Sequence, residues 1–466
     1  MTPMKTPDRA LPLLFTPLLC LLLSACALGP DYRRPDAPVS ASFKEAEGWV
    51  PATPADAIER DRWWAVFHDP LLDELAPRVA MSNQNVAAVA AAYAQARALV
   101  GQQRALLLPA VNLTSSGNRS NVATAVTPTQ RVRVDLGASW EVDVWGRLGR
   151  AVEAARANVQ ASAGDLASAT LSAQAELVTN YLLLRQADAQ RGLLETAIAD
   201  YERVVTITEN RYRAGVAAKT DLLQAQTQLA NARADHAGLG SQRAQLEHAI
   251  AVLVGEVPAN FSIARRNDWQ PAVPAVPVLL PSELLQRRPD IAAAERRVAA
   301  ANAQIGIARA AYFPSITLSA SGGGFGNSFA GLLASPTSVW SVGYALTQTV
   351  FNAGLVKSRV QGAEAAYEAE VARYRQTVLT ALQGVEDQLV ASRVLAEQER
   401  LLTEAAEASQ QARQQVLNRY RAGQVSFLEV VIAQTTALNA RRSLLQVQAN
   451  RQVAGVALIQ GLGGGW

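Results

Sequence analysis

Hydrophobic residues follow two different periodicities along this chain. From Arg131 to Val144 they occupy every second position, so one face of the segment is apolar and the other polar, which is the pattern of a β-strand. The segment Val111 to Asn118 shows the same alternation, and Ile316 to Ser321 and Trp340 to Thr347 repeat it later in the chain. These patterns predict two β-hairpins, each with one apolar and one polar face.

Most of the remaining sequence predicts long helices, because it is rich in Ala, Leu, Gln, Glu and Arg and poor in proline. No proline occurs from Val356 to Tyr420, and apolar residues recur there at steps of four and three, as in the seam between packed helices. Arg147 to Arg213 has the same character, and a helix of about 65 residues would be roughly 100 Å long. The seam of the later segment consists of Tyr367, Val371, Tyr374, Val378, Ala381, Val385 and Leu389.

The chain contains one long unit twice. The hexapeptide Asn-Arg-Tyr-Arg-Ala-Gly runs from Asn210 to Gly215 and again from Asn418 to Gly423, an offset of 418 − 210 = 208 residues. The first halves of the two units align at an offset of 313 − 108 = 205 residues, with Leu108 matching Phe313. Two copies of one unit favour a pseudo-symmetric assembly over a single catalytic pocket.

A sheet with one apolar face packs either on a protein core or against lipid, and the alternation alone leaves both interpretations open. No stretch after the N-terminal region resembles a transmembrane helix, so a membrane crossing would have to use the strands. Four strands cannot close a barrel, and we expect copies of the chain to pool them, as eight from a dimer or twelve from a trimer. A polar inner face on twelve strands suggests a water-filled lumen. The aromatic residues expected at the membrane interfaces are Trp140, Trp145, Phe325, Trp340, Tyr344 and Phe351.

The N-terminus predicts a bacterial lipoprotein. Lys5 and Arg9 precede or flank an apolar stretch that is too short and too interrupted by proline to be a good spanning helix. It ends at Cys26 in the sequence Leu-Ser-Ala-Cys, which resembles the lipobox, where the signal is cut and the cysteine acylated; the alternative is a chance cysteine after an ordinary signal. Acylation with two or more chains anchors a protein stably, and Ala27 implies sorting to the outer membrane. Cys20 lies in the discarded segment, so no disulfide is expected.

Composition argues against several other functions. Lys and Arg total 43 and Asp and Glu total 40, so there is no basic stripe that would indicate nucleic-acid binding. The three histidines are scattered, and neither a Ser/His/Asp order nor metal-ligand spacing stands out. The glycine runs at Gly322 and Gly463 lack the Lys-Ser/Thr that a phosphate-binding loop needs. We therefore expect no enzyme activity, no metal, and no cofactor apart from the covalent N-acyl and S-diacylglycerol lipid on Cys26.

Together the repeats, helices, strand pairs and N-terminal cysteine resemble the TolC/OprM-type outer-membrane efflux channels, in the lipoprotein branch often called the NodT type. The resemblance covers essentially the whole mature chain. Its motifs are Cys26 to Tyr32 with Pro35, Trp63-Trp64 with Phe67 and Asp69-Pro70, Trp140 to Arg147, Arg287 to Ile291, and the two Asn-Arg-Tyr-Arg-Ala-Gly turns.

The resemblance implies a mainly α fold with a β-barrel contribution and a two-fold internal repeat. In a homotrimer, four strands per chain would contribute to a 12-stranded transmembrane β-barrel, and long antiparallel helices would form a periplasmic α-barrel. The implied segments are a removed signal peptide (1–25), a lipid-anchored N-terminal segment and equatorial belt (26–68), an α-barrel helix (69–108), β-barrel hairpin 1 (109–145), a long helix with tip turn and return helix (146–255), an equatorial linker (256–286), an α-barrel helix (287–313), β-barrel hairpin 2 (314–352), a second long helix with tip turn and return helix (353–460) and a C-terminal tail (461–466).

The family implies a passive exit duct for drugs or other small solutes in the outer membrane of a Gram-negative bacterium. Its implied partners are outer-membrane lipid, a periplasmic adaptor (membrane fusion protein) and an inner-membrane pump, commonly of the resistance-nodulation-division (RND) class. The same scaffold also serves type I protein secretion and polysaccharide export. A coiled-coil scaffold lipoprotein that forms no channel is a further alternative. The cargo is not encoded here, because such a lumen admits what the pump delivers.

Each hexapeptide ends a long helix at a glycine, Gly215 or Gly423, with arginines in the last turn. This is the sequence of a helix C-cap, in which glycine adopts the left-handed conformation and arginine complements the helix dipole. In the family these turns lie at the periplasmic tip, so the resemblance makes their side chains candidates for adaptor contact. The candidates are Arg211, Tyr212, Arg213, Arg419, Tyr420 and Arg421.

The constriction of the family lies just after the second turn, where Leu428, Glu429 and Ile432 match its positions. The resemblance implies threefold rings of these side chains, with Asp221 at the equivalent place in the first repeat. Converging carboxylates would repel one another and favour cations. Related channels commonly carry an acidic residue where Ile432 stands, which argues against a strong electrostatic gate at that position. Alternatively, Glu429 and Asp221 are N-terminal charges that stabilise the return helices.

Overall fold

A computed structural model describes residues 28–45, 60–120, 129–266, 269, 271, 273, 287–328, 330, 332 and 337–464. The predicted signal peptide and Cys26 lie outside these residues, as do parts of the predicted equatorial belt. A 3₁₀ helix at Arg60–Phe67 precedes the longer elements, and another at Pro258–Asn260 follows α4. In chain order the longer elements are α1 (Pro70–Ser82), α2 (Gln84–Ala105), β1 (Ala110–Ser120), β2 (Thr129–Val142), α3 (Arg147–Arg213), α4 (Lys219–Leu253), α5 (Pro289–Ala310), β3 (Ser315–Gly326), β4 (Thr337–Thr347), α6 (Leu355–Arg421) and α7 (Phe427–Gly461).

The element bounds reproduce the two sequence offsets. Helices α3 and α6 are each 67 residues long, and their starts differ by 355 − 147 = 208 residues. Their return helices α4 and α7 are each 35 residues long, and 427 − 219 is again 208. Helices α2 and α5 are each 22 residues long and start 289 − 84 = 205 residues apart. The predicted long helices are confirmed, the second extending one residue further at each end.

The described part of the chain divides into two compact units. The first unit comprises the described residues of Met1–Ala37, Ala92–Ala163 and Ala293–Arg375. It contains a four-stranded antiparallel sheet in the order β1-β2-β3-β4, which confirms the two predicted hairpins. Pairs such as Leu113 with Leu136, and Leu318 with Tyr344, stand directly opposite each other in neighbouring strands. Because opposite residues share a face, the register gathers the alternating apolar residues of all four strands on one face, as predicted.

The predicted strand from Arg131 to Val144 is shifted in the structure, where β2 begins at Thr129 and ends at Val142. Asp143, expected on the polar face of the strand, instead caps helix α3. Its carboxylate accepts hydrogen bonds from the backbone N–H groups of Leu148, at 2.9 Å, and Gly149, at 2.6 Å. The N–H groups in the first turn of a helix have no partner within the helix. Capping them therefore stabilises the chain more than extending β2 by another residue would.

The second unit comprises the described residues of Pro38–Ala91, Gly164–Ala292 and Gln376–Trp466. Its core joins Trp64 to buried residues of the long and return helices, including Tyr181, Leu389 and Ile459. Asp69 begins α1 by accepting a hydrogen bond from Leu71 N at 2.9 Å, and the Tyr181 hydroxyl donates to the same carboxylate at 2.6 Å. Among the described helices, none is both long enough and apolar enough to cross a bilayer.

Candidate functional site

The apolar face of the sheet is exposed in the single chain. On β4, Trp340 and Tyr344 are each 79% exposed, and on β1 Leu113 is 73% exposed. Val342 and Leu346 extend the same exposed face along β4. A soluble monomer rarely leaves so continuous an apolar surface open, so this face marks contact with lipid or protein.

Two of the predicted interface tryptophans lie near the junction of the sheet with its flanking helices. The indole N–H of Trp140 donates to the Leu107 carbonyl at 2.9 Å. That of Trp145 donates to the Pro314 carbonyl at 2.7 Å, and its ring stacks on Phe313 at 4.8 Å between centroids. Both rings therefore combine an apolar body with a satisfied polar end, which is the character of interface tryptophans.

The expectation that Phe325 belongs with these aromatic residues is wrong for this sheet. Phe325 stands opposite Arg133 on β2 and opposite Thr337 on β4, on the polar face. Its ring lies beneath the guanidinium of Arg131, 6.0 Å from centroid to Cζ. A cation over an aromatic face makes this position compatible with a polar surface. Phe351 lies just beyond the end of β4 and is exposed.

The two hexapeptide turns end their helices in the same way. Gly215 has φ 72° and Gly423 has φ 73°, the left-handed conformation predicted for both. In the first turn Val216 N donates to Arg211 O at 2.8 Å, and in the second Gln424 N donates to Arg419 O at 2.9 Å. With the accompanying glycine N–H bonds, each turn is a Schellman motif, which confirms the predicted C-caps.

The tip side chains differ between the two turns. Tyr420 is only 5% exposed, packs on Phe427 and lies under the guanidinium of Arg211 at 4.8 Å, whereas Tyr212 is 40% exposed. The expectation that Tyr420 offers its side chain to a partner is therefore wrong for the single chain, because neighbouring side chains bury it. Those that remain exposed are Arg213, Arg419 and Arg421, together with Tyr212.

The candidate constriction residues occupy the first turns of the return helices. Glu429 forms a capping box with Ser426, accepting from Ser426 N at 3.3 Å, so its cap role is present in the structure. Leu428 and Ile432 are exposed on the same helix. Asp221 lies in the first turn of α4, where a carboxylate complements the helix dipole.

An N-terminal strap, residues 28–37, packs on the other residues of the first unit and was not expected from the sequence patterns. Leu28 N donates to Trp145 O at 3.2 Å, and Asn302 Nδ2 donates to Pro30 O at 2.9 Å. Gly29 has φ 104°, and a Cβ on it would lie 2.5 Å from the Gly306 backbone. Both glycines are therefore required for the close approach of strap and helix.

A polar cluster holds the middle of the strap. The Tyr32 hydroxyl donates to the carboxylate of Glu295, which Arg296 also contacts, and the Arg34 guanidinium donates to the Tyr374 hydroxyl at 3.2 Å. Burial and the bond to Glu295 raise the pKa of Tyr32. Burial alone would raise the pKa of Glu295, but the hydrogen bonds from Arg296 and Tyr32 outweigh it and hold that pKa below its ordinary value.

A small antiparallel sheet with an exposed apolar face, joined to helices of 67 residues, is the fold of outer-membrane channels. The solved structure of the outer-membrane channel OprN superposes with a TM-score of 0.87 and 32% identity, covering 95% of this chain and 100% of that one.

The family model described as outer membrane efflux protein matches residues 75–256 and 280–464, and the chain belongs to this family. The toluene efflux pump outer membrane protein TtgC of Pseudomonas putida is 32% identical over 463 residues, 97% of this chain and 96% of that protein. The pyoverdine export outer membrane protein OpmQ of Pseudomonas aeruginosa is 31% identical over 460 residues, 96% and 95% of the two chains. The predicted family, efflux function and outer-membrane location are confirmed.

Proposed function

We propose that this chain is the passive exit duct of a tripartite efflux system, built as a homotrimer around one 12-stranded barrel. The observation that carries the proposal is the four-stranded sheet, whose apolar face is exposed. Among the described residues, β1 is hydrogen-bonded only to β2 and β4 only to β3, so each outer strand has one open edge. In lipid, unpaired strand edges cost several kcal/mol per group, so the edges require partners. Three copies supply 3 × 4 = 12 strands, enough to enclose a lumen lined by the polar face.

The segment bounds predicted from the sequence describe this assembly, with residues 109–145 and 314–352 as the barrel hairpins and the long helices with their returns as a periplasmic α-barrel. The two-fold repeat lets each protomer contribute two similar helical pairs. The matching element lengths of the two halves support this division.

Cys26 is the lipid anchor in this proposal. The described strap begins at Leu28, two residues later, and its first backbone N–H is held at Trp145, beside the end of β2. Palmitate labelling tests the anchor, because Cys26→Ala should abolish incorporation, and persistent labelling of that variant would refute the assignment.

The exposed tip residues Tyr212, Arg213, Arg419 and Arg421 form the proposed docking surface for a periplasmic adaptor, which would couple the duct to an RND-type pump. Gly215 and Gly423 shape this surface through their caps. The names of the relatives, which include toluene efflux and pyoverdine export proteins, support small solutes as the cargo class.

Glu429 supplies one acidic ring at the proposed constriction, between rings of Leu428 and Ile432, with Asp221 as its counterpart in the first repeat. The capping box makes alanine a poor probe, because it would remove the cap and the charge together. Glu429→Gln keeps a side-chain acceptor for the cap and removes the charge. We expect it to lower the cation preference of the open pore, and an unchanged reversal potential would remove this role.

Two measurements on the purified protein test the channel itself. We expect a trimer whose migration on denaturing gels changes on heating, and ion conductance when the trimer is inserted into planar bilayers. In cells, deletion of the gene should raise sensitivity to small toxic solutes, and the wild-type gene should restore resistance. A monomer that never conducts would support a scaffold lipoprotein instead.

A further inference from the structure

The polar face of the sheet carries a cluster of charged side chains near the start of β2. Arg133 and Asp135 on β2 form an ion pair at 2.5 Å. Arg131, two residues earlier on the same face, lies over the ring of Phe325 on β3. Phe325 also stands directly opposite Arg133 in the register of β2 and β3, so the three residues share one end of the polar face.

The glycine run on β3 makes room for this cluster. Gly323 stands opposite Asp135, and a Cβ on Gly323 would lie 2.6 Å from Asp135 Oδ1 and 2.8 Å from Asp135 Cα. The missing side chain therefore leaves the space that the Asp135 carboxylate occupies while it pairs with Arg133. The glycine run that begins at Gly322, which lacks the residues of a phosphate-binding loop, thus makes room for the Asp135 carboxylate.

The cluster leaves an excess of positive charge. Among the described residues on the polar face of β1–β4, the charged side chains toward the hairpin turns are two arginines and one aspartate, a net of 2 − 1 = +1 per chain. The connecting segments 121–128 and 327–336 contain no charged residue in the sequence. Glu141 lies at the opposite end of this face and pairs with Arg147 at 2.8 Å.

We propose that Arg131, with Arg133 and Asp135, forms a cationic ring inside the outer mouth of the lumen that favours anionic solutes at the exit. This inference rests on the proposed trimeric barrel, in which the polar face lines the lumen and Arg131 lies near the end of β2 opposite to the one that leads into α3. Three copies give a net charge of about +3 on one ring, and a ring of like charges raises the local concentration of the opposite ion. The exit would thus favour anions, whereas the acidic ring proposed at Glu429 would favour cations.

A thiol reporter on the same face measures the local potential without requiring the periplasmic end to be open. Thr337 stands opposite Phe325 on the polar face and is exposed. In Thr337→Cys, the rates of reaction with an anionic and a cationic methanethiosulfonate of similar size are compared on the trimer in intact outer membranes. The protein without the Thr337→Cys change gives the background.

Adding Arg131→Gln should lower the anionic-to-cationic rate ratio by about three- to tenfold, because each reporter loses the arginine charge that lies beside it, within about one Debye length. Arg131→Lys should keep the ratio, and Asp135→Asn should raise it. The matched control is Arg119→Gln, which removes the same charge from the face shared with Leu113 and should leave the ratio unchanged. Heat-modifiable migration checks that each variant still forms the trimer.

Equal ratios for Arg131→Gln, Arg119→Gln and the reporter parent would overturn the cationic ring and leave the channel intact. Failure of both reagents to reach the reporter thiol would mean that the polar face is sealed from water. That result would contradict the proposed barrel lumen itself, and the ring with it. The two failures therefore give different readouts.

Discussion

Tyr212 and Tyr420 occupy equivalent positions in two turns of identical sequence, yet only Tyr420 is buried. The cause lies outside the hexapeptide. Phe427 begins the helix after the second turn and packs on Tyr420 at 5.7 Å between ring centroids. The equivalent residue after the first turn is Lys219, which offers no such ring. The residue that begins the return helix thus contributes to the different exposure of the two tip tyrosines.

This difference predicts unequal effects of the same substitution. Tyr420→Ala should lower the free energy of unfolding of the tip by about 3 kcal/mol. The substitution leaves a cavity in a buried cluster and removes the ring over which the Arg211 guanidinium lies. Tyr212→Ala is the matched control and should change it by less than about 0.5 kcal/mol. Native-state hydrogen exchange measures the first value in the last turn of α6 and the second in the last turn of α3. Equal losses would contradict the burial difference.

The tip glycines allow a second comparison. Gly423 has φ 73°, so Gly423→Ala should cost about 1 kcal/mol of local stability from backbone strain alone. Steric overlap adds little, because a Cβ on Gly423 would have no atom of the described residues within 4 Å, apart from those of its neighbours in the chain. Gly362, inside α6, is equally open, and Gly362→Ala should instead stabilise by up to about 1 kcal/mol. Hydrogen exchange and thermal unfolding distinguish the opposite signs.

At the scale of elements, the helices and strands were predictable because their patterns extend over many residues. The long helices matched to within one residue at each end, and the alternation placed the apolar residues of all four strands correctly. Phe325 and Asp143 were misplaced, because cross-strand register and helix capping depend on partners that a local pattern does not show. The strap was missed for the same reason, since its contacts join Tyr32 to Glu295, 263 residues away.

The strap should respond to acid. Hydrogen bonds to Glu295 are strongest when it is charged and hold its pKa below the ordinary value of 4.5. Its contribution to stability is therefore complete above pH 4.5 and is lost as the pH falls through the lowered pKa of the folded state. Limited proteolysis within residues 28–37 should accelerate in that acidic range. In Glu295→Gln the cleavage rate should already be raised at neutral pH and should lose this pH dependence; an unchanged acid response would exclude Glu295 as its source.

At the scale of the whole molecule, the sequence predicted the class of protein because several motifs spread along the chain agree with the family. It could not specify how the hairpins of different copies meet, because that contact has no counterpart within one chain. In the part of the chain that the structure describes, β1 and β4 are the two edge strands of the sheet. A closed barrel requires β4 of one protomer to pair with β1 of the next, antiparallel as in the rest of the sheet.

Cysteine pairs test this contact directly. Thr114 on β1 and alternate positions on β4 share the polar face, so Thr114→Cys is combined in turn with Val339→Cys, Ser341→Cys and Gly343→Cys. Opposite residues on paired strands have Cβ atoms about 5 Å apart, close enough for a disulfide. At least one combination should give covalently linked dimers and trimers on non-reducing denaturing gels after mild oxidation. The control combines Thr114→Cys with Ser319→Cys on the interior strand β3, which β2 and β4 already flank, and should remain unlinked. If every β1–β4 combination behaves like this control, the strands of neighbouring copies do not meet at these edges, and the shared barrel is refuted.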